Sequence, residues 1–323
     1  MARAVARELT LRPATPDDAA FAADVMTEVR PSSPMDPAIL RYWWAQPDEH
    51  FDLARFVVSR HGRDVGYADA SHAKWHINLE RYGAVGGDLL LSARSREALD
   101  ALLAMVEERA VADGARILRN RANEDDPLRN EVILARGYTE DRRSRRWELD
   151  LVANRERLLA MVAESRRRMR DEGVRLLTLA DDTDPDVMEK IWRLSEEASD
   201  DVPTTVPRTP EGIESYMRWA KGPGIHPDRF WLARFGDDVI GISVLEYPPI
   251  RGVVSTDWTA TARSVRGRGV ARAVKCETLA QAMSLGVPRV QTGNDAANAP
   301  ILHINETMGY RPIPGGIGYL RSV

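Results

Sequence analysis

Cysteine is nearly missing from this chain: 323 residues contain one, Cys276. No internal disulfide can form, which leans towards a reducing, cytoplasmic setting. No metal centre is expected. Lysine is scarce too, at Lys74, Lys190, Lys221 and Lys275, so nearly all positive charge is carried by arginine. The formal net charge is -4. That gives no electrostatic case for a nucleic-acid partner, which usually shows as a basic patch or a high pI. No uncharged apolar stretch approaches the roughly 18 residues of a membrane span. The opening Met1 to Glu8 lacks the apolar run of a secretory signal.

What remains is the balance of an ordinary soluble protein, 43% hydrophobic and 29% charged. At roughly 100–200 residues per domain, the length suggests two. A weak repeat at half-chain scale agrees. Each half opens with a short strand and an acidic helix start: Leu9 to Arg12 leads to Thr15-Pro16-Asp17-Asp18, and Arg175 to Leu179 leads to Asp184-Pro185-Asp186. Thr, Asp and Pro suit a helix N-terminus, where side-chain oxygens accept free N–H groups and proline loses nothing. Two β-rich runs then flank a tight turn, at His61 to Asp64 and at Gly236 to Asp238. A long amphipathic helix follows, from about Ser95 to Gly114 and from about Gly267 to Gly286. A strand, a shorter helix, Gly137-Tyr138 or Gly309-Tyr310, and a last strand close each half.

The order per half is β-α-α-β-β-β-α-β-α-β. It predicts an α/β protein with a mixed (α+β-type) sheet flanked by helices, occurring twice. The division runs 1–151, a helical linker at 152–173, and 174–323. The basic stretch Arg166-Arg167-Arg168 in the linker reads as a solvated face.

Chemistry concentrates at Arg266-Gly267-Arg268-Gly269-Val270-Ala271, where a β-like stretch opens into a long helix. Glycines let the backbone approach a ligand and take unusual dihedrals. The free N–H groups and dipole of a helix N-terminus hold an anion, and Arg266 and Arg268 add charge. A dinucleotide fold fits poorly, because a hairpin precedes the motif in place of a βαβ unit. A Walker loop is excluded, since no Gly-Lys-Ser/Thr follows.

Arg266-x-x-Gly269-x-Ala271 resembles the pyrophosphate signature of the GNAT superfamily of acyl-CoA-dependent N-acyltransferases. Downstream, Asn294, Asn298, Asn305 and Met308-Gly309-Tyr310 resemble that family's Asn-containing strand end, short helix and Gly-Tyr. The close match spans about 174–323. The tandem arrangement is similar to that of the mycothiol synthases, in which the C-terminal half is the active one. The resemblance implies an acyl-CoA, expected to be acetyl-CoA, wedged in an opening between the half's fourth and fifth strands. Backbone N–H groups of Arg266, Gly267, Arg268, Gly269, Val270 and Ala271 would take the pyrophosphate. Thr259, Ala260 and Thr261 would bond the pantetheine and thioester, and Asn298 the pantetheine side. A small-molecule amine would attack the thioester directly. An acceptor on a protein or aminoacyl group, a longer acyl chain, and a non-catalytic acyl-CoA sensor stay open, as does monomer or homodimer.

Many family members carry a Tyr seven residues after that Asn, as acid for the leaving thiolate. Here the position is Asn305, which can donate a hydrogen bond but not serve as an acid. Candidate bases are Glu246, Asp257 and His303, with Asp257, Thr259 and Thr261 expected on one strand face. The acidic run Glu196, Glu197, Asp200 and Asp201 would favour a cationic amine. Trp43, Trp44, Trp192, Trp219 and Trp231 are expected in the core. The first half lacks the glycine pair at the equivalent place. Its Asp88, Glu97 and Asp126 would repel a pyrophosphate, so it reads as a degenerate half that supports structure or shapes the acceptor site.

Overall fold

His61 and Gly62 take φ of 51° and 76°, the paired positive dihedrals that a two-residue hairpin turn needs. They join β2 (Phe51–Arg60) to β3 (Arg63–Ala73) in a computed structural model that describes residues 8–323. Around this hairpin the first half runs β1 (Leu9–Pro13), α1 (Ala19–Val29), α2 (Pro37–Ala45), β2, β3, β4 (Tyr82–Leu89), α3 (Arg96–Ala112), β5 (Ile117–Asn123), α4 (Pro127–Ala135) and β6 (Thr139–Asp150). After α5 (Arg155–Asp171) the same order returns: β7 (Arg175–Thr178), α6 (Val187–Ser199), α7 (Ile213–Ala220), β8 (Phe230–Phe235), β9 (Asp238–Glu246), β10 (Ser255–Thr261), α8 (Val270–Ser284), β11 (Arg289–Asp295), α9 (Ala299–Met308) and β12 (Arg311–Ser322). The protein is a mixed α/β fold in which the expected element order appears twice.

The strands form one twelve-stranded sheet in the order β1-β2-β3-β4-β5-β12-β6-β11-β10-β9-β8-β7. Here the sequence-based expectation fails in one respect. The last strand of each half does not close its own half. β6 pairs antiparallel with β11 of the second half, from Arg289↔Asp150 to Asp295↔Ser144. β12 returns to β5 of the first half, from Gly316↔Asn123 to Ser322↔Ile117. The two exchanged strands also pair with each other. Local pattern cannot reveal this, because β6 and β12 present the same alternation to either neighbour. The exchange leaves no open edge at the junction.

A core of α3 leucines (Leu99, Leu102, Leu103) packs under β3 to β5. In the second half, Ile191 and Leu194 of α6 pack on Phe230, Leu232 and Val244. The arginines of helix α5 are exposed, as expected, while its opposite face is packed. Leu158 and Val162 pack with Leu279 and Met283 of α8, and Ser165 meets the buried Cys276. Arg166 is spent on the buried Glu277 at 2.7 Å. Asp36 fastens the halves together. It caps α2 through the N–H groups of Ala38 and Ile39, and accepts from Ile250 and Arg251 at 2.7 and 2.9 Å. Among the described residues, no helix is long and apolar enough to cross a membrane.

Candidate active site

The long helix of the second half begins three residues later than the sequence pattern suggests. Gly267 and Gly269 take φ of 75° and 87°, which a helix cannot continue through. The chain therefore makes a short 3-10 turn at Arg263–Val265, then the two glycines, and only then α8. Gly269 is the N-cap and supplies no side-chain cap. Gly267, Gly269, Val270 and Ala271 have no acceptor for their N–H groups among the described residues. An uncapped helix start of this kind is a receptor for an anion. Gly267 and Gly269 are both free of the side chain that would cover it.

Four arginines surround this start. Arg263, Arg266 and Arg268 lie on the loop and are exposed. The fourth, Arg168 of α5, was missed by sequence reasoning: a Cβ at Gly269 would stand 3.2 Å from its Nη1. Its signal was the run at Arg166 to Arg168, but only tertiary packing brings α5 beside the loop. Carboxylates hold the loop from outside. Asp201 binds Arg263 at 2.8 Å and Arg266 at 2.7 Å, which draws its own pKa down to about 2. Glu197 accepts from the Arg263 N–H at 2.6 Å, and Arg268 reaches Glu172 at 3.1 Å.

The acidic run at the end of α6 is therefore committed internally. Besides these pairs, Arg208 engages Glu196 at 2.9 Å and Asp200 at 2.7 Å. The expectation that this run offers free negative charge to a cationic amine is corrected: arginine partners neutralise it.

Beside the loop, the sheet splits. β10 pairs with β11 only at Ser255↔Gln291. Ala262 donates to Ile240 O of β9 at 3.0 Å. By the two-residue period, Ala260 also faces β9, while Thr259 and Thr261 turn their N–H and C=O groups into the split. Asn298 follows the end of β11 by three residues and is the N-cap of α9, with no side-chain cap bond. Asn305 is fully buried, its Nδ2 on Asn294 Oδ1 at 2.7 Å. It orients the end of β11 and is closed to solvent. His303 is exposed on α9, outside both of the cavities described here.

The other side of β10 carries the second half of the site. A β-bulge falls between Thr256, opposite Leu245, and Trp258, opposite Val244. Asp257 is the extra residue. A bulge re-aims a side chain, and Asp257 shares the face of Trp258, not that of Thr259 and Thr261 as simple alternation suggests. Asp257 and Trp258 line a cavity of about 600 Å³ with Tyr216 and Trp219, and the first half contributes Trp43 and Arg119. Trp43, expected in the core, is a cavity wall, and Trp219 both packs against the core of the second half and lines the cavity. Trp219 Nε1 donates to Asp257 Oδ2 at 2.5 Å. The open surface of Asp257 faces this recess, and burial raises its pKa. Glu246, half-buried at the end of β9 against Gly224, lines neither cavity itself; it is pushed up to about 7 by burial first and then by the charges of Asp257 and Asp36. A carboxylate at that value can hold or release a proton near neutrality.

Helix α8 also carries Lys275, almost wholly buried. Its Nζ stands 5.4 Å from the Tyr310 ring centre, and burial pushes its pKa down to about 8. Among the described residues no cluster of His, Cys, Asp and Glu could hold a metal ion.

The first half has the same frame with different chemistry. Ser95 caps α3, accepting from the Ala98 N–H at 3.2 Å, so the helix start is filled from within. Its fourth strand, β4, pairs with β3 without a bulge. Asp88 and Asp126, expected to repel a pyrophosphate, are instead held by Arg94.

No protein-family model matches the chain, and no curated protein does. Solved structures do. A tandem GNAT protein from the clavulanic acid biosynthesis pathway, solved without acetyl-CoA, superposes with a TM-score of 0.74 at 16% identity, covering 98% of both chains. A GCN5-related N-acetyltransferase from Sphaerobacter thermophilus gives 0.66 at 17% identity, covering 98% of this chain and 96% of that one. The glucosamine N-acetyltransferase region of a fungal multi-domain β-N-acetylglucosaminidase gives 0.66 at 11% identity, covering 96% of this chain and 38% of that one. The topology and these likenesses together establish that the chain has the tandem GNAT fold.

Proposed function

We propose that this protein is an acyl-CoA-dependent N-acyltransferase that moves acetyl from acetyl-CoA to a small-molecule amine, with its working site in the second half. The observation that carries the reading is the uncapped start of α8, ringed by Arg168, Arg263, Arg266 and Arg268, beside a split sheet. A pyrophosphate fits that start, because the free N–H groups supply donors and the four arginines outnumber the carboxylates paired with them, Asp201 and Glu172, which leaves net positive charge. Pantetheine then lies in the split against Thr259 and Thr261.

In this reading the acceptor amine enters from the cavity beside Asp257. Its nitrogen attacks the thioester carbonyl carbon, and the carbonyl oxygen gathers negative charge. A backbone N–H of β10 facing the split stabilises it. The acceptor arrives as an ammonium and, before attack, gives one proton to ionised Glu246, directly or through one water, which frees the nitrogen lone pair. The C–S bond breaks, the CoA thiolate leaves, and the second proton of the nitrogen passes through water to it. Asp257 neutralises the incoming ammonium. Asn305 acts as a positioning residue through Asn294. The first half has its equivalent helix start capped by Ser95 and contributes Trp43 and Arg119 to the acceptor wall.

Thiol release tests this reading. Purified protein with acetyl-CoA and a panel of small primary amines should release CoA at a rate that depends on the amine. No amine-dependent release across the panel would contradict the enzyme reading.

A further inference from the structure

The larger cavity, about 1020 Å³, opens where β4 and β5 of the first half pair only from Tyr82 to Ala84 and then diverge, and residues of both halves line it. Arg30 and Arg146 line it together. Arg30 ends α1, and Arg146 stands on the exchanged strand β6. Buried Gln291 of β11 joins their surroundings: its Nε2 donates to Ser32 O at 3.1 Å, and its Oε1 accepts from Arg146 Nη2 at 2.9 Å. Neither guanidinium forms an ion pair among the described residues. The carboxylates whose charge reaches them are Asp125, Asp126 and Glu148, and Glu148 is engaged by the Gln291 amide at 2.9 Å.

Most arginines inside this fold have carboxylate partners, as Arg94, Arg136 and Arg234 do. Arg30 and Arg146 are half-buried, and burial lowers the pKa of each. The positive charge of Arg146 lowers that of Arg30 further. Two like charges brought together, with carboxylates near but none paired to either, cost free energy unless an anion joins them. The cavity provides the space. It also adjoins the acceptor recess, because Arg119, Val202, Thr204 and Val206 line both. A molecule with its amine at Asp257 can therefore extend past this shared wall.

We propose that Arg30 and Arg146 form an anion site that receives a carboxylate or phosphate at the far end of the acceptor, which makes the preferred substrate an amine with an anionic tail. The identity of the occupant rests on the acyltransfer reading; the anion site itself does not.

Two arms test it. In turnover, hexylamine, ω-amino acids of four to eight carbons and 6-aminohexyl phosphate are compared as acceptors. An anionic tail should lower KM at least about tenfold relative to hexylamine, and the better of the two tails identifies the anion. In Arg30→Gln/Arg146→Gln the KM ratio should fall towards one, with the KM for acetyl-CoA unmoved. The melting temperature should hold or rise, since two unpaired charges are removed. A preference that survives the double substitution, or no preference in the wild type, overturns the proposal. The second arm needs no turnover. Adipate should bind the wild type and Arg266→Ala alike, and bind Arg30→Gln/Arg146→Gln at least about tenfold more weakly. That result in a protein inert towards every amine would sink the acyltransfer reading and keep the anion site. Equal binding by all three proteins, or none, would overturn the site.

Discussion

Gly269→Asp is expected to weaken acetyl-CoA binding by at least about 100-fold, near 2.7 kcal/mol, in a protein that stays folded. The substitution puts a carboxylate on the first residue of the anion receptor. It would satisfy the free N–H groups of α8 internally and repel an incoming pyrophosphate. Folding should survive. Gly269 lies in the left-handed region, which Asp tolerates better than most side chains. The contact that a Cβ meets is the flexible end of Arg168, at 3.2 Å. Ser95 at the start of α3 shows how this fold closes such a helix start from within. Calorimetric titration alongside a melting curve separates the two effects. Unchanged affinity in the folded variant would refute the placement of the donor site.

The second large effect falls on the carboxylate pair. Glu246→Gln should reduce kcat/KM by roughly 10² to 10⁴, the usual range for losing a general base. The sign of the pH dependence follows from its pKa. Glu246 must be ionised to accept a proton, so wild-type activity rises with pH through about 7 and is lost below it. In Glu246→Gln this acid limb should flatten. Asp257→Asn should act differently. The Asp257 charge helps raise the Glu246 pKa, so its removal should move the limb to lower pH, while the missing carboxylate raises KM for the amine. A limb unmoved by either substitution would assign the titration to another group.

Much of this was legible along the chain. The element order of both halves, the hairpins and the Gly-x-Gly loop are local features, carried by turn residues, helix starts and hydrophobic period. What escaped is tertiary. Arg168 belongs to the loop only because Leu158 and Val162 seat α5 against α8. The acidic run at Glu196 to Asp201 looked like free charge because sequence cannot show that Arg208, Arg263 and Arg266 fold onto it. The bulge at Asp257 shifts the side-chain parity of β10 by one, so counting by two put Asp257 on the wrong face. The exchange of β6 and β12 is invisible to any pattern read within one half. Asn305, read by its spacing as a hydrogen-bond donor in the place of the usual Tyr, is buried behind Asn294 and spends its Nδ2 there.

The most direct measurement is calorimetric titration of the whole protein with acetyl-CoA, beside Arg266→Ala. Binding on the order of micromolar in the wild type, weakened at least about tenfold in the variant, is the result expected of an arginine that meets a phosphate. No binding at millimolar acetyl-CoA, or equal binding by both proteins, would contradict a donor site at the start of α8.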